Sequence, residues 1–313
     1  MRALLSTTSG VKLADIAPPM PGPQDILVSV KAIGMNRIDL AALRDPRNQV
    51  IGMEWAGEIV KFGSQVKEFR VGDRVMCTGS GAYAEFAVAD AERCCPVPEG
   101  MSWESAASLL LGLQTMHDAL VTQGGFVKES SVLIQGAASC MGLIGMQMAA
   151  WMGASTVIGT SRNPAHRSEL KKFGCDVAVD SSLPGWHQAV LEATRGKGAS
   201  IVVDQVSGEA INECMAAAAI GGTVVNVGRL AGASGAFDFN LHALRRLSYV
   251  GVTFRTRSPE EVRTLNARMK ADVVTLLPAI KVPLAGRFDF DQASDALACL
   301  ADSRHLGKVV LMP

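Results

Sequence analysis

The stretch Val132–Ala150, VLIQGAASCMGLIGMQMAA, decides the fold. Val132–Gln135 is a short apolar run suited to a buried parallel strand. It breaks at Gly136, passes through small residues, and resumes at Gly142 with helical apolar spacing. Leu143, Met146 and Ala150 fall on one face, and Gly153 sits where such a helix stops. Strand, small-residue turn and helix N-terminus in that order make an anion site, because backbone N–H groups and the positive helix end converge on the turn. The usual dinucleotide fingerprint is G-x-G-x-x-G; its three positions here hold Ala137, Ser139 and Gly142. Cys140 and Met141 complete the expected phosphate turn. Cys140, one turn ahead of a helix starting near Gly142, reads either as an activated thiol or as a small core hydrophobe.

The strand after that helix, Thr156–Thr160, ends at Ser161-Arg162, where dinucleotide folds read the adenosine ribose. An Asp or Glu there would accept from a 2′-hydroxyl. A hydroxyl (Ser161) and two guanidinium groups (Arg162 and, one helical turn on, Arg167) suit a 2′-phosphate instead.

Composition narrows the class. The 313 residues are enough for two domains, and 30 basic side chains balance 30 acidic ones. No basic excess exists to draw nucleic acid or an anionic membrane surface, and no apolar run approaches the ~18 residues of a spanning helix. The N-terminal MRALLSTTSGVKL lacks an apolar stretch of signal-peptide length, and seven scattered cysteines read as reduced thiols, so a cytoplasmic location is expected.

Residues 1–112 are strand-rich and punctuated by turns. Ile26–Ile33 alternates as a half-buried strand, Met53–Phe62 is a second, Gly72–Val75 feeds a third, and Ala82–Ala89 is another. From Gly112 helices and strands alternate. A helix spans Pro164–Phe173 with Gly174 as its stop, and strands are expected at Val177–Val179, Ile201–Asp204, Thr223–Val227 and Val250–Phe254. Helices fall near Trp186–Thr194 and at Glu209–Ala218. That rhythm implies a parallel sheet with helices on both faces. A helix over Glu260–Leu277 and a strand at Lys308–Met312 close the chain. The dinucleotide domain, 113–255, is therefore expected as an insertion in a domain built from 1–112 and 256–313.

Several separated strings agree with one family: GMNRIDLAAL (34–43), GMEWAGEIVKFG (52–63), VGDRV (71–75), GAYAEF (81–86), VLIQGAASCMG (132–142), GTVVNVG (222–228) and LGKVVL (306–311). The chain resembles the medium-chain dehydrogenase/reductases, specifically their zinc-free quinone oxidoreductase (zeta-crystallin-like) branch, along essentially its whole length. The resemblance implies an α/β fold, a Rossmann doubly wound parallel sheet inserted in a GroES-like strand-rich catalytic domain. It implies hydride transfer from NADPH to a small electrophile, a quinone or an electron-poor carbon–carbon double bond, and a homodimer. Carried over position by position, Asn36 and Asp39 lie near the nicotinamide and the catalytic cleft. Thr115 and the Val227-Gly228 turn flank the nicotinamide ring, with Phe254 counted among the cofactor contacts.

Zinc-dependent relatives put Cys where this chain has Asn36 and His where it has Met53, so no catalytic zinc is expected. Glu54 beside Met53 reads as a structural ion-pair partner, and His117 as a packing residue on a helix near the cleft. Tyr83 reads as structural, which leaves the proton to solvent. Two rival readings stand: an enoyl-thioester reductase, for which Arg44, Arg47, Arg255 and Arg257 would supply a basic patch, and a cofactor-binding protein with little turnover.

Overall fold

The structure, a computed structural model, describes every residue except Ser9, Asp45 and Ser303. It divides into two compact units. The first holds Met1–Leu111, Val262–Lys270 and Val282–Pro313, and the second holds Gly112–Glu261 and Ala271–Lys281.

The first unit opens with an antiparallel hairpin of β1 (Arg2–Thr7) and β2 (Gly10–Asp15). Then come β3 (Asp25–Gly34), α1 (Arg37–Ala42), β4 (Glu54–Phe62), β5 (Arg74–Thr78), β6 (Phe86–Asp90), β7 (Cys95–Pro96), and the helices α2 (Trp103–Ala106) and α3 (Leu110–His117). β3 pairs with both β4 and β6. Val28, Val30 and Ala32 are buried on one face while Ser29 and Lys31 between them are half-exposed, the alternation expected for this segment. At the two ends of the strand, Ile26–Val28 and Ala32–Gly34, successive residues are buried. The expected strand at Ala82–Ala89 contracts to β6. Its front half is a turn pinned by Tyr83, whose N–H donates to the Ile51 carbonyl and whose carbonyl accepts from Leu4 N–H.

The second unit alternates strand and helix: β8 (Ser131–Gln135), α4 (Cys140–Trp151), β9 (Thr156–Thr160), α5 (Pro164–Leu170), β10 (Val177–Val179), α6 (His187–Ala193), β11 (Ala199–Asp204), α7 (Ile211–Ala217), β12 (Ala218–Asn226), α8 (Phe239–Arg245) and β13 (Ser248–Gly251). The six strands are all parallel, in the order β10-β9-β8-β11-β12-β13. This is the doubly wound 3-2-1-4-5-6 arrangement, whose order reverses between β8 and β11. Val132, Leu133, Ile134, Val202 and Val203 are fully buried, as central strands between two helical layers must be. The last strand stops at Gly251 rather than Phe254, because Gly251 sits opposite Asn226, where β12 itself ends. Helix α4 starts at Cys140, two residues earlier than expected, because Ser139 caps it by accepting from Gly142 N–H at 3.0 Å.

The chain closes with α9 (Pro259–Val273), β14 (Leu284–Asp289), α10 (Ala293–Ala301) and β15 (Lys308–Met312). The expected helix to Leu277 ends at Val273, a turn ahead of Pro278. Nor does the chain cross once near residue 255. The middle of α9 belongs to the first unit, where Arg263 Nε donates to Asp90 at 2.8 Å and Asn266 Nδ2 to the Glu92 carbonyl at 2.5 Å. Its C-terminal turn belongs to the second, where Asp272 meets His117 at 2.8 Å. β15 lies between β14 and β3, so the C-terminal strand completes the first unit's sheet.

At the end of β3, a Cβ on Gly34 would run into the Ala107 carbonyl oxygen and lie 2.9 Å from Lys308 Cε. Gly34→Ala should therefore cost about 1–3 kcal/mol or more through overpacking. Gly251→Ala, with nothing within 4 Å and no special backbone angle, should stay within about 0.5 kcal/mol of the parent. Urea denaturation of the two variants side by side measures the contrast.

Candidate active site

The small-residue turn after β8 is built by backbone geometry first. Gly136 adopts the left-handed conformation at φ 79°, so the tight-turn position is Gly136 and not Ala137, one place earlier than the fingerprint spacing assigns. A Cβ on Gly142 would sit 2.6 Å from Ala137 Cα, so α4 packs on the turn as closely as the third glycine of such a fingerprint allows. Ala137 is fully buried, and its N–H donates to the Thr160 carbonyl. Ser139 Oγ lies 3.0 Å from both the Gly136 carbonyl and Gln205 Oε1, while Gln205 Nε2 donates to the Gln135 carbonyl at 3.2 Å. Thr160 Oγ1 bonds the Gln135 side chain and accepts from Gly136 N–H. Gln135, Thr160 and Gln205 thus shape the turn from beneath. They escaped the sequence reading because their partners lie about 25 to 70 residues away. Cys140 and Met141 form the first helical turn at the mouth of the site, and Cys140 is partly exposed.

At the end of β9, Ser161 is nearly buried and its Oγ accepts from Asn163 N–H. Arg162 is exposed, and its guanidinium has no hydrogen bond or ion pair among the described residues. Arg167 differs. It donates to the carbonyls of Ser161 and Arg162 at 2.9 and 3.0 Å and pairs with Asp180 at 2.8 Å. Its guanidinium holds the corner in place and is committed to protein partners. Val227 and Gly228 follow β12, and both N–H groups point to the Asp204 carbonyl. A Cβ on Gly228 would lie 2.5 Å from the Gln205 carbonyl oxygen, so this close approach needs glycine. Phe254 lies beyond the sheet, with the Arg257 guanidinium 5.8 Å from its ring centre.

Thr115 lies on α3, nearly buried, ahead of His117, which is fully buried and bonds Asp272 through Nε2. The helix then widens into a π-turn over Asp118–Gln123, where buried Asp118 pairs with Arg257. Arg257 is thereby withdrawn from the expected basic patch.

In the first unit, Asn36 and Asp39 belong to one buried network. Asp39 Oδ2 accepts from Asn36 N–H at 2.8 Å and from Tyr83 Oη–H at 2.9 Å. Lys308 Nζ donates to Glu54 Oε2 at 2.6 Å and to Asn36 Oδ1 at 2.8 Å, with Lys308 2% and Glu54 1% exposed. Asn36 Nδ2 donates to the Gly34 carbonyl and to Glu54 Oε2, and Glu54 Oε1 accepts from Leu111 N–H. Glu54 is thus the structural ion-pair partner its sequence context implied. Its cation, Lys308, sits 254 residues away and could not be read from the string. Both ends of the Asn36 amide are fixed by this network. Burial raises the Asp39 carboxyl from the ordinary 3.8 to about 6, against the opposing bonds from Asn36 and Tyr83. Burial also pushes the Tyr83 hydroxyl well up. Among the described residues no group of three or more His, Cys, Asp or Glu side chains is arranged to hold a metal ion.

Two family models match the chain: the alcohol dehydrogenase GroES-like domain over residues 22–99 and the zinc-binding dehydrogenase domain over 140–271. A quinone oxidoreductase of Pseudomonas aeruginosa is 30% identical over 96% of this chain and 94% of its own length. The chain therefore belongs to the medium-chain dehydrogenase/reductase superfamily, in its quinone oxidoreductase-like family. A mycobacterial protein solved in complex with NADPH superposes over all of both chains with a TM-score of 0.87 at 29% identity. A low-reducing polyketide synthase of Aspergillus calidoustus is 29% identical over 94% of this chain, which spans only 13% of that synthase.

Two measurements test the buried network. Lys308→Met should cost about 3–5 kcal/mol in urea denaturation by leaving Glu54 buried and unpaired, and Lys308→Met/Glu54→Gln should regain most of it. Equal losses in the single and double variants would show that the pair's charge is unimportant.

Asp39 gives the pH dependence. Its folded pKa lies above its unfolded one, so its contribution to stability is fully present below about 4 and is lost as pH rises through 6. The stability of Asp39→Asn relative to the parent should therefore rise by roughly 3 kcal/mol between pH 4 and 7. A flat difference over that interval would contradict the shift.

Proposed function

We propose that the protein is an NADPH-dependent reductase of quinones or α,β-unsaturated carbonyls that works without a catalytic metal. The observation carrying this reading is the pairing of a phosphate-fitting turn with an uncommitted guanidinium at the ribose corner. Gly136 and Gly142 let the backbone close around a pyrophosphate at the start of α4, with Ser139, Cys140 and Met141 lining it. Ala137, expected there too, is fully buried with its N–H given to the Thr160 carbonyl and only supports the turn. Ser161 and Arg162 are the donors for a 2′-phosphate, while Arg167 supports their carbonyls. Bound NADPH supplies the hydride. Thr115, Val227, Gly228 and Phe254 are the residues we assign to the nicotinamide. In the other unit we assign a catalytic role to Asn36, whose amide is held by Lys308, and to Asp39, which bonds the Asn36 N–H. No side chain is assigned as proton donor, and solvent supplies the proton. Holding both reactants at near-attack distance is the protein's main contribution.

Likeness to reducing polyketide synthases supports a second reading, reduction of an enoyl thioester. Arg44, Arg47 and Arg255 are its exposed basic residues, Arg257 being tied to Asp118. A panel of a benzoquinone, an enone and an enoyl-CoA, scored by NADPH oxidation, separates the two. Oxidation with none of them would favour a cofactor-binding protein with little turnover.

Arg162→Gln should erode the preference for NADPH over NADH about tenfold or more, since a charge-assisted hydrogen bond is worth ~1.5–3 kcal/mol. Equal affinity of the parent for both cofactors would remove Ser161 and Arg162 from the site.

We further propose a homodimer. β13 has one strand partner, and Phe239 and Leu244 on neighbouring α8 are 78% and 71% exposed. An edge of this kind is stabilised by pairing with its two-fold mate. No helix among the described residues is long and apolar enough to cross a membrane. The seven free cysteines support the cytoplasmic location we propose for this dimer. Sedimentation at micromolar concentration should give twice the chain mass; a monomer would contradict it.

A further inference from the structure

A second cleft lies in the same unit on the other flank of the loop after β11. Gln205 of that loop faces the phosphate turn through Ser139, whereas Ser207, two residues on, lines a cavity of about 210 Å³. Its walls come from the start of α7 (Ile211), the end of β12 (Asn226), the following strap (Arg229, Ser234, Phe237) and β13 (Tyr249). The cavity lies beside the carboxyl ends of β11 and β12, away from the reversal point between β8 and β11.

Its chemistry is one-sided. Arg229 is the only ionisable group among the lining residues apart from the Tyr249 phenol. Arg229, Ser234 and Tyr249, all among its lining residues, have no side-chain hydrogen bond or ion pair among the described residues, so three uncommitted donor-bearing side chains border one small space. The nearby carboxylate, Asp204, is fully buried beneath, and its Oδ1 accepts from Val206 N–H and Ser207 N–H. Ile211 and Phe237 supply an apolar wall, and Phe237 packs edge-on against Tyr249 with ring centres 5.9 Å apart. Ser207 itself holds φ 56° and ψ −151°, a strained conformation for a residue with a side chain. Three contacts keep it there: Asp204, the Gly228 carbonyl, which accepts from Ser207 Oγ–H at 2.8 Å, and Asn226. Strain maintained by three partners at the lip of a cavity is the kind that accompanies binding sites.

We propose that this cleft binds a small organic anion, a carboxylate or phosphate on a compact apolar body, separately from the cofactor. The anion engages Arg229, Ser234 and Tyr249, and the body rests on Ile211 and Phe237. The cavity lies below the usual range for drug-sized ligands, which restricts the occupant to a single ring or short chain.

The test titrates the full chain with benzoate, following chemical shifts or heat, with and without saturating NADPH. Inorganic phosphate serves as the head group alone and benzyl alcohol as the body alone. Benzoate should bind saturably at one per chain, more tightly than either fragment, and with NADPH present. Arg229→Gln should weaken it about tenfold or more, as expected for a charge-assisted bond, and Arg255→Gln should leave it unchanged. Arg229 is exposed, so its variant should fold as the parent does. The proposal is overturned by no saturable binding, by equal binding to parent and Arg229→Gln, or by displacement of benzoate by NADPH. Failure because a second copy of the chain fills the cleft would appear as absent binding in a dimer, and it too overturns the proposal.

Discussion

The buried ion pair between Lys308 and Glu54 is the constraint on which the first unit is organised. It joins β15, the last strand of the chain, to β4, and through Asn36 it reaches the cap of α1. Two charges this deep are costly to desolvate, and their mutual attraction offsets that cost only when the remaining bonding capacity is filled. Asn36 Oδ1, Asn36 Nδ2 and Leu111 N–H fill it here. The pair therefore does more for position than for stability: an ammonium has no acceptor, so the oxygen end of the Asn36 amide must face Lys308. Gly34 completes the arrangement, because any side chain there would occupy the space taken by Lys308 Cε and Glu54 Oε2.

The same network explains the unusual state of Asp39. The carboxylate accepts two hydrogen bonds on one oxygen and feels the Lys308 charge, each of which favours ionisation. Burial opposes all three and prevails, bringing the group close to neutral pH. Capping α1 from the inside thus requires a carboxylate in a place where charge is expensive. Tyr83, fully buried, is held by the same oxygen, and its hydroxyl serves as a structural donor rather than as an exposed acid.

What could be read from the string was local. The strand, turn and helix of 132–150, the stop at Gly174 and the position of Ser161 and Arg162 follow from apolar periodicity and turn chemistry over a few residues. Errors of a residue or two arose where capping decided the boundary, as when Ser139 began α4 at Cys140, and where the fingerprint spacing opened on Ala137 although the tight turn falls at Gly136. Long-range partners could not be read. Nothing near Arg167 reveals that Asp180 will claim its guanidinium, and nothing near Glu54 reveals Lys308. Residue type set which groups could act, and the fold decided which of them were left uncommitted.

The loop from Asp204 to Gly208 shows how one buried carboxylate can organise two faces. Asp204 ends β11 at full burial, and its side chain accepts from the N–H groups of Val206 and Ser207. That folds the chain back sharply enough to put Gln205 against the phosphate turn and Ser207 toward the outer cleft. The main chain of the strap then returns the contact: Leu230 and Ala231 donate to the carbonyls of Gln205 and Val206, and Gly228 must lack a side chain to pass Gln205. A change at Asp204 would release both faces together. Asn at this position would retain an acceptor for the N–H groups, whereas an apolar residue would leave two buried donors unmet, at about 1–3 kcal/mol each. The strained Ser207 would then relax first, since its conformation persists only while its surroundings over-determine it.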